Sequence, residues 1–441
     1  MSAIAGIRER VDGGLGRSYW KLWLASAGSN LSDGIFWTAM PLLALSLTDS
    51  PALIAGVTVA SRLPWLLFAL VAGALADRLD RRRTMMLVDL GRAGLLGALA
   101  VMVGANFASI PLLYGLVFAL GVAETLFDTS AQSIMPTLVD RERLSRANGR
   151  LYAAELTMNQ FVGPPLGGLL AAFAISAAFG VGAAAYLIAA FLLFSIAGSF
   201  RPVREGPATR LHEEIGEGLR YLLGHPVLRV LAVMVGVMNF VSNATFAIFV
   251  VFAVAPGPLG LTEVGFGVLL TGYAIGSIVG SVFVERVERW LGRANLLAGT
   301  VAVTALATLL PAFTSEAWIV GATFVVGGAA SIMWNVVTVS LRQRIVPDQL
   351  LGRLNASYRM LAWGTMPIGA AFGGVLAEFL GIRAVFVVGA GLIGFLLLAR
   401  LIVTDEAIAA AELEAPAPPD GEAPPPPDVP PPPSPTESGA P

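Results

Sequence analysis

The sequence predicts an all-α membrane protein, with twelve transmembrane helices arranged as two six-helix bundles repeated in parallel. Three observations carry that prediction. Hydrophobic residues make up 56% of the 441 residues and charged residues only 13%, against about 25% charged in soluble domains. Apolar runs of about 20 residues recur, each long enough to cross a ~30 Å hydrocarbon core as a helix. A shift of about 207 residues lays the second half of the chain over the first. The mean hydropathy is +0.75. The strict short-range alternation of a membrane β-barrel is absent, which leaves helices to satisfy the backbone inside lipid.

In chain order, spans are expected at 20–46, 52–76, 84–105, 110–134, 148–173 and 178–200, then at 227–254, 264–285, 294–312, 316–341, 354–379 and 383–403. This divides the chain into a short segment 1–19, a bundle 20–200, a linker 201–226, a second bundle 227–403 and a tail 404–441. The loops sort by charge. One side carries Arg8, Arg10, Arg17, Arg78, Arg81 to Arg83, Arg141, Arg143, Arg146, Arg286, Arg289, Arg293, Arg342, Arg344 and Arg353. The loops of the other side carry almost nothing basic, with Arg383 the exception. By the positive-inside rule both termini are cytoplasmic and the protein sits in the cell membrane. An even number of spans demands the same.

Two stretches read as non-membrane. In the linker, Leu211, Ile215, Leu219 and Leu222 recur at helical spacing opposite His212, Glu213, Glu214 and Glu217, the pattern of an amphipathic helix lying on the membrane surface. Beyond Asp405 the chain is Pro/Ala-rich and acidic without a basic residue, a composition that reads as disordered.

Several chemistries are excluded. There is no Cys, so no disulfide, thiolate metal site or cysteine nucleophile. The two histidines, His212 and His225, lie outside the spans, and the single lysine, Lys21, is in no phosphate-binding loop. Neither an enzyme nor a resident metal or cofactor is expected. A net charge of −2 gives no reason to expect a nucleic-acid partner.

The repeat aligns Asp77-Arg78 with Glu285-Arg286, Leu144-Ser-Arg-Ala-Asn148 with Leu351-Gly-Arg-Leu-Asn355, and Gly167-Gly168 with Gly373-Gly374. Because the shift covers six helices, both copies keep one orientation, an arrangement used by transporters with substrate held between the halves. Over residues ~20–403 the chain resembles the major facilitator superfamily. The segment Gly73-Ala-Leu-Ala-Asp77-Arg78-Leu-Asp80-Arg81-Arg82-Arg83 is similar to the superfamily's loop between spans two and three, with Asp80 where the second glycine usually stands. Ser61-Arg62-Leu63-Pro64, the stretch from Phe127-Asp128 to Arg146-Ala-Asn148, and Glu217 to Pro226 resemble the branch with enterobactin exporters and macrolide efflux proteins. The resemblance implies the major facilitator fold and a conformational latch built on Gly73, Asp77, Arg78, Arg81 and Arg82. Gly163, Pro164, Pro165, Gly167 and Gly168 resemble the superfamily's antiporter motif, with Asn159 where the longer motif begins with glycine. No arginine stands in the fourth span, where several drug exporters of the superfamily carry one. The Gly389-Ala-Gly391-Leu-Ile-Gly394 match to a dinucleotide fingerprint lies inside a span and reads as helix packing.

Ionisable residues inside a bilayer mark function by default. Asp33 and Glu124 are candidates for proton exchange, with Arg62 a partner that Asp33 could pair with from the next span. Asp89, Arg92, Asp128, Glu155 and Arg359 lie nearer the basic side, as a gating or structural network. Asn30, Asn239, Asn243, Tyr273, Asn335, Tyr358 and Trp363 are candidates for a substrate cavity whose amides and aromatic rings suit an amphiphile. The expectation is a monomeric secondary exporter of hydrophobic or amphiphilic small molecules working as a proton antiporter. A lipid flippase or siderophore exporter of the same fold, and a non-transporting sensor or scaffold, remain alternatives.

Overall fold

A computed structural model describes residues 15–76, 79–198, 200 and 211–413. Among these the N-terminal half contributes α1 (Gly16–Leu47), α2 (Pro51–Ala76), α3 (Arg81–Gly104) and α4 (Ile110–Leu138). Its fifth rod is built from α5 (Leu144–Leu156), a π-helical turn (Thr157–Val162) and α6 (Gly163–Phe173), and its sixth is α7 (Ile175–Phe194). A linker helix α8 (Leu211–Gly224) leads to α9 (Pro226–Ala253), α10 (Glu263–Leu291), α11 (Arg293–Leu309), α12 (Ala317–Ile345), α13 (Asp348–Leu380) and α14 (Ile382–Phe395). A final helix, α15, covers Asp405–Leu413.

Ten of these helices are long and apolar enough to cross a membrane. The two rods that fall short do so for separate reasons. In α1, Asn30, Ser32 and Asp33 dilute an otherwise apolar run, and the fifth rod is divided by its π turn into pieces too short to span alone. Large side chains such as Phe173, Phe191, Phe395 and Leu401 stand exposed on the outside of the bundles, as a lipid-facing surface requires.

Within the first half α3 packs on α7, α1 on α7 and α6, and α2 on α4; within the second, α9 packs on α13 and α10 on α12. The halves meet along α2 with α13 and along α6 with α10. Those contacts join spans two with eleven and five with eight, so the repeat relates one seam to the other. Both seams close on the arginine-poor side. There Ser50 Oγ donates to Glu378 Oε2 at 2.8 Å, and a methyl group at Gly374 would stand 2.5 Å from Ala55 Cβ. Gly168 lies against the Glu263 carbonyl with no room for a side chain. Small residues let helices approach this closely without lipid between them. On the arginine-rich side α5 packs against α1 and α4 of its own half.

The linker helix α8 docks on α13: Gly218 abuts the Arg353 carbonyl, Glu217 pairs with Arg353 at 2.5 Å, and Leu222 is wholly buried. The expected disorder of the tail needs correction. The tail is ordered over its first turns, where Ile408 and Ala411 are buried and Glu412 pairs with Arg293 at 2.6 Å and Arg344 at 3.6 Å. Residues 414–441 lie outside the described residues.

The N-termini of α3 and α11, equivalent under the repeat, are capped differently. Asp80 accepts from Arg83 N at 3.0 Å and from Phe200 N at 2.9 Å, tying α3 to the chain that follows α7. At α11 the residue before the helix is Gly292, with φ +78°. The capping carboxylate there is Asp405, from the chain following α14, which accepts from Ala294 N at 3.0 Å. Each junction fastens a third span to the exit of a sixth, with the carboxylate supplied from opposite partners.

Candidate functional site

The inward faces of α1, α3, α4 and α7 bring the N-terminal charges together around Arg92. Its guanidinium, 2% exposed, lies 3.9 Å from Asp33 Oδ1 and 3.9 Å from Asp89 Oδ1. It also rests near the rings of Phe127 (5.2 Å) and Tyr186 (5.3 Å). Tyr186 Oη donates to Asp33 Oδ1 at 2.5 Å, and Ser29 Oγ donates to Asp89 Oδ2 at 2.8 Å. Glu124 and Asp128, one turn apart on α4, are within electrostatic range of Arg92. A buried carboxylate without a counter-charge costs several kcal/mol, so Arg92 holds the cluster together.

This arrangement corrects the expected pairing. Asp33 pairs with Arg92, not Arg62, because α1 packs mainly on α6 and α7 while α2 turns toward α4 and α13. Arg62 lies over the Trp37 ring at 4.5 Å, with Glu124 as its electrostatic neighbour. Asp89, Arg92 and Asp128 therefore belong with Asp33 and Glu124 in one cluster rather than in a separate outlying network. Glu155, on α5, is exposed and forms no ion pair among the described residues. Arg359, on α13, stacks over Trp363 at 4.2 Å and is close enough to Asp128 in the other half to interact electrostatically.

Beside this cluster lies a cavity of about 590 Å³. Most of its wall comes from α9, α10, α11, α12 and α14, completed by Trp37 and Thr38 of α1, Arg62 of α2, and Asn159 and Gln160 of the π turn. Asn239, Asn243, Tyr273 and Asn335 line it, together with Phe246, Phe249, Phe324 and Trp334. Three expected lining residues do not. Asn30 folds back onto its own helix, donating to the Ser26 carbonyl at 2.9 Å. Tyr358 is buried beneath Arg342, 3.8 Å from its ring, and Trp363 packs edge-on against Trp65 across the seam.

Gly163 meets Gly34 backbone to backbone, and Pro164 and Pro165 face Gly267 of α10. With Gly167 on α1 and Gly168 on α10, the Gly-Pro-Pro-Leu-Gly-Gly segment holds the fifth rod against both halves just beyond the π turn. Asp77 and Arg78 of the expected latch lie outside the described residues, and Gly73 is placed only as part of α2. Arg82 donates to the Ile196 carbonyl, which binds the start of α3 to the exit of α7. Sequence reading missed Tyr186, whose signal was available: the one tyrosine in the most apolar stretch of the first half.

The geometry now has relatives to compare with. Residues 16–427 match the family described as transmembrane secretion effector. The chain belongs to that family. It is a major facilitator superfamily transporter, a multi-pass membrane protein and not an enzyme. It is 29% identical over 385 residues to the multidrug efflux pump Tap of Mycolicibacterium fortuitum, covering 82% of this chain and 90% of that protein. Identity is 28% over 377 residues with the uncharacterised MFS-type transporter YfiS of Bacillus subtilis (strain 168), covering 82% and 87%. Among solved structures, a mutant of the nucleoside transporter NupG superposes with a TM-score of 0.72 at 12% identity, covering 88% of this chain and 99% of that one. A bacterial homologue of the human lysosomal transporter Spinster gives 0.66 at 12% identity, covering 90% and 96%. These two likenesses concern the fold alone.

Proposed function

We propose that the protein exports amphiphilic small molecules from the cell by alternating access of its two halves, in exchange for protons. Its arginine-rich face is then cytoplasmic, and the sealed seams at Ser50–Glu378 and Gly168–Glu263 form the outer gate. The observation that carries this reading is the juxtaposition of an aromatic-lined cavity, with Arg62 at its edge, and a carboxylate cluster that is not part of its described wall. Such a division lets the cavity accept varied cargo while the charges handle the driving ion. The efflux activity in the name of the Mycolicibacterium relative agrees with it.

Within the cluster Asp33 is the best-placed proton carrier. It is 18% exposed where Asp89 is fully buried, so a proton can reach it. Its negative charge is balanced by Arg92 and by the hydroxyl of Tyr186. A proton on Asp33 would weaken both contacts at once, which loosens α1 from α3 and α7 and couples protonation to helix movement.

The test is proton release from acidified inverted vesicles on adding candidate amphiphiles. Release with the wild type, abolished in Asp33→Asn, is the expected result. Release that survives in Asp33→Asn would move coupling to Glu124. No release with any amphiphile, from folded protein that binds them, would remove proton exchange from the reading.

A further inference from the structure

The proposed export site has a chemical bias written into its wall. Of the described residues that line the cavity, Arg62 alone is charged, and no carboxylate stands among them. Its guanidinium is stacked on Trp37 at 4.5 Å, and its Nε is buried with no acceptor among the described residues. Glu124, on α4, interacts with it electrostatically, but no carboxylate reaches ion-pairing distance of Arg62 among the described residues. A second donor on the wall, Trp334 Nε1, is likewise buried without an acceptor.

Several other polar groups of the wall are committed to backbone carbonyls. Asn239 Nδ2 donates to the Ala362 carbonyl and Asn243 Nδ2 to the Asn239 carbonyl. The hydroxyls of Thr38, Thr245 and Thr323 donate to carbonyls of their own helices. Among the described residues the side-chain amides of Asn159, Gln160 and Asn335 also line the cavity without a hydrogen bond, but they are neutral, so the one fixed charge the described wall offers a cargo is the Arg62 guanidinium. Buried donors left unmade are costly, and a charged one more so. An ammonium cargo would meet repulsion from Arg62, whereas a planar oxyanion could take two parallel hydrogen bonds from it.

We propose that the cargo is an amphiphile bearing a carboxylate-like anionic group, which docks on Arg62 while its aromatic or apolar body lies against Phe246, Phe249 and Phe324. This rests on the cavity being the export site, as proposed above. Trp37 fixes the plane of the guanidinium, so the site is oriented before the cargo arrives. Glu124 competes with the cargo for the same guanidinium and weakens its hold, which favours release.

The test uses three probes of one shape, 11-(dansylamino)undecanoic acid, its methyl ester and the matching terminal amine. Binding to purified protein is read by energy transfer from tryptophan to dansyl. The wild type should bind the acid about tenfold more tightly than the ester, as a charge-assisted hydrogen bond allows, and the amine least. Arg62→Gln should erase the preference and Arg62→Lys keep part of it. Should Arg62→Gln fail to fold, Glu124→Gln offers an independent route: it should tighten the acid by about threefold to tenfold and leave the ester unchanged. Equal binding of all three probes, an acid preference that survives Arg62→Gln, or an acid affinity unmoved in Glu124→Gln would overturn the anionic preference and leave the export reading standing. Absence of saturable binding for every probe would count against the cavity itself, and so against both.

Discussion

The two halves share one backbone plan and differ in what they keep inside. The first gathers Asp33, Asp89, Arg92, Glu124 and Asp128 into a network, with Asp89 and Arg92 buried at its centre. In the second, the shift of about 207 residues puts Ser331 where Glu124 stands and Asn335 where Asp128 stands. Both of those neutral residues line the cavity. The difference teaches that the repeat fixes the positions that face inward, and each half fills them for its own task. Charges that need counter-charges fill the first half with one another and leave little open space. Neutral polar groups need only a carbonyl of their own helix, so the second half can afford a hole.

The comparison breaks first at Arg92. Arg92→Met should strand Asp33 and Asp89 and cost about 3–5 kcal/mol, read as a large fall in the unfolding midpoint in detergent. The neutral counterpart should be tolerant: Asn335→Ala is expected within about 0.5 kcal/mol of wild type. If the two changes were equally damaging, the division between a charge-locked half and an open half would fail.

The two helix caps sharpen the same contrast on a smaller scale. Asp80→Ala removes the cap of α3 and its tie to Phe200 N, for an expected loss of up to about 2 kcal/mol. Asp405→Ala removes the cap that α11 borrows from the chain end, for about 1 kcal/mol. Thermal unfolding should rank them in that order. Truncation after Thr404 should match or exceed Asp405→Ala, because Ile408, Ala411 and the Glu412 pair leave with it.

The spans were legible because a bilayer permits few solutions. Each rod needs an apolar run, and the loops between them declare themselves by arginine. The two-bundle plan was legible from the repeat. What could not be read was which helix neighbours which. Arg62 stands on the span after Asp33, yet the cation beside Asp33 is on the span after that, since α1 and α2 share little contact. Polar residues in apolar helices announced Asn239, Asn243 and Tyr273 as candidates, and by the same sign announced Tyr358. Only the structure separates a side chain facing a cavity from one lying under Arg342. The ordered start of the tail escaped for a related reason: its partners, Arg293 and Arg344, lie far away in sequence.

The π turn at Thr157–Val162 has a mechanical consequence. It holds one residue more than an α-helical turn, so the stretches on either side are out of phase by about 100°. Below it, α5 carries Tyr152 and Glu155 on an exposed face; above it, Gly163 and Gly168 are clamped against both halves. The fifth rod is thus a shaft with a coupling in the middle. Tightening that turn to α geometry would spin the lower segment by roughly a quarter turn or more while the clamped segment stayed still. Rotation at this joint would present a different set of side chains on the arginine-rich side without sliding any helix along the sealed one.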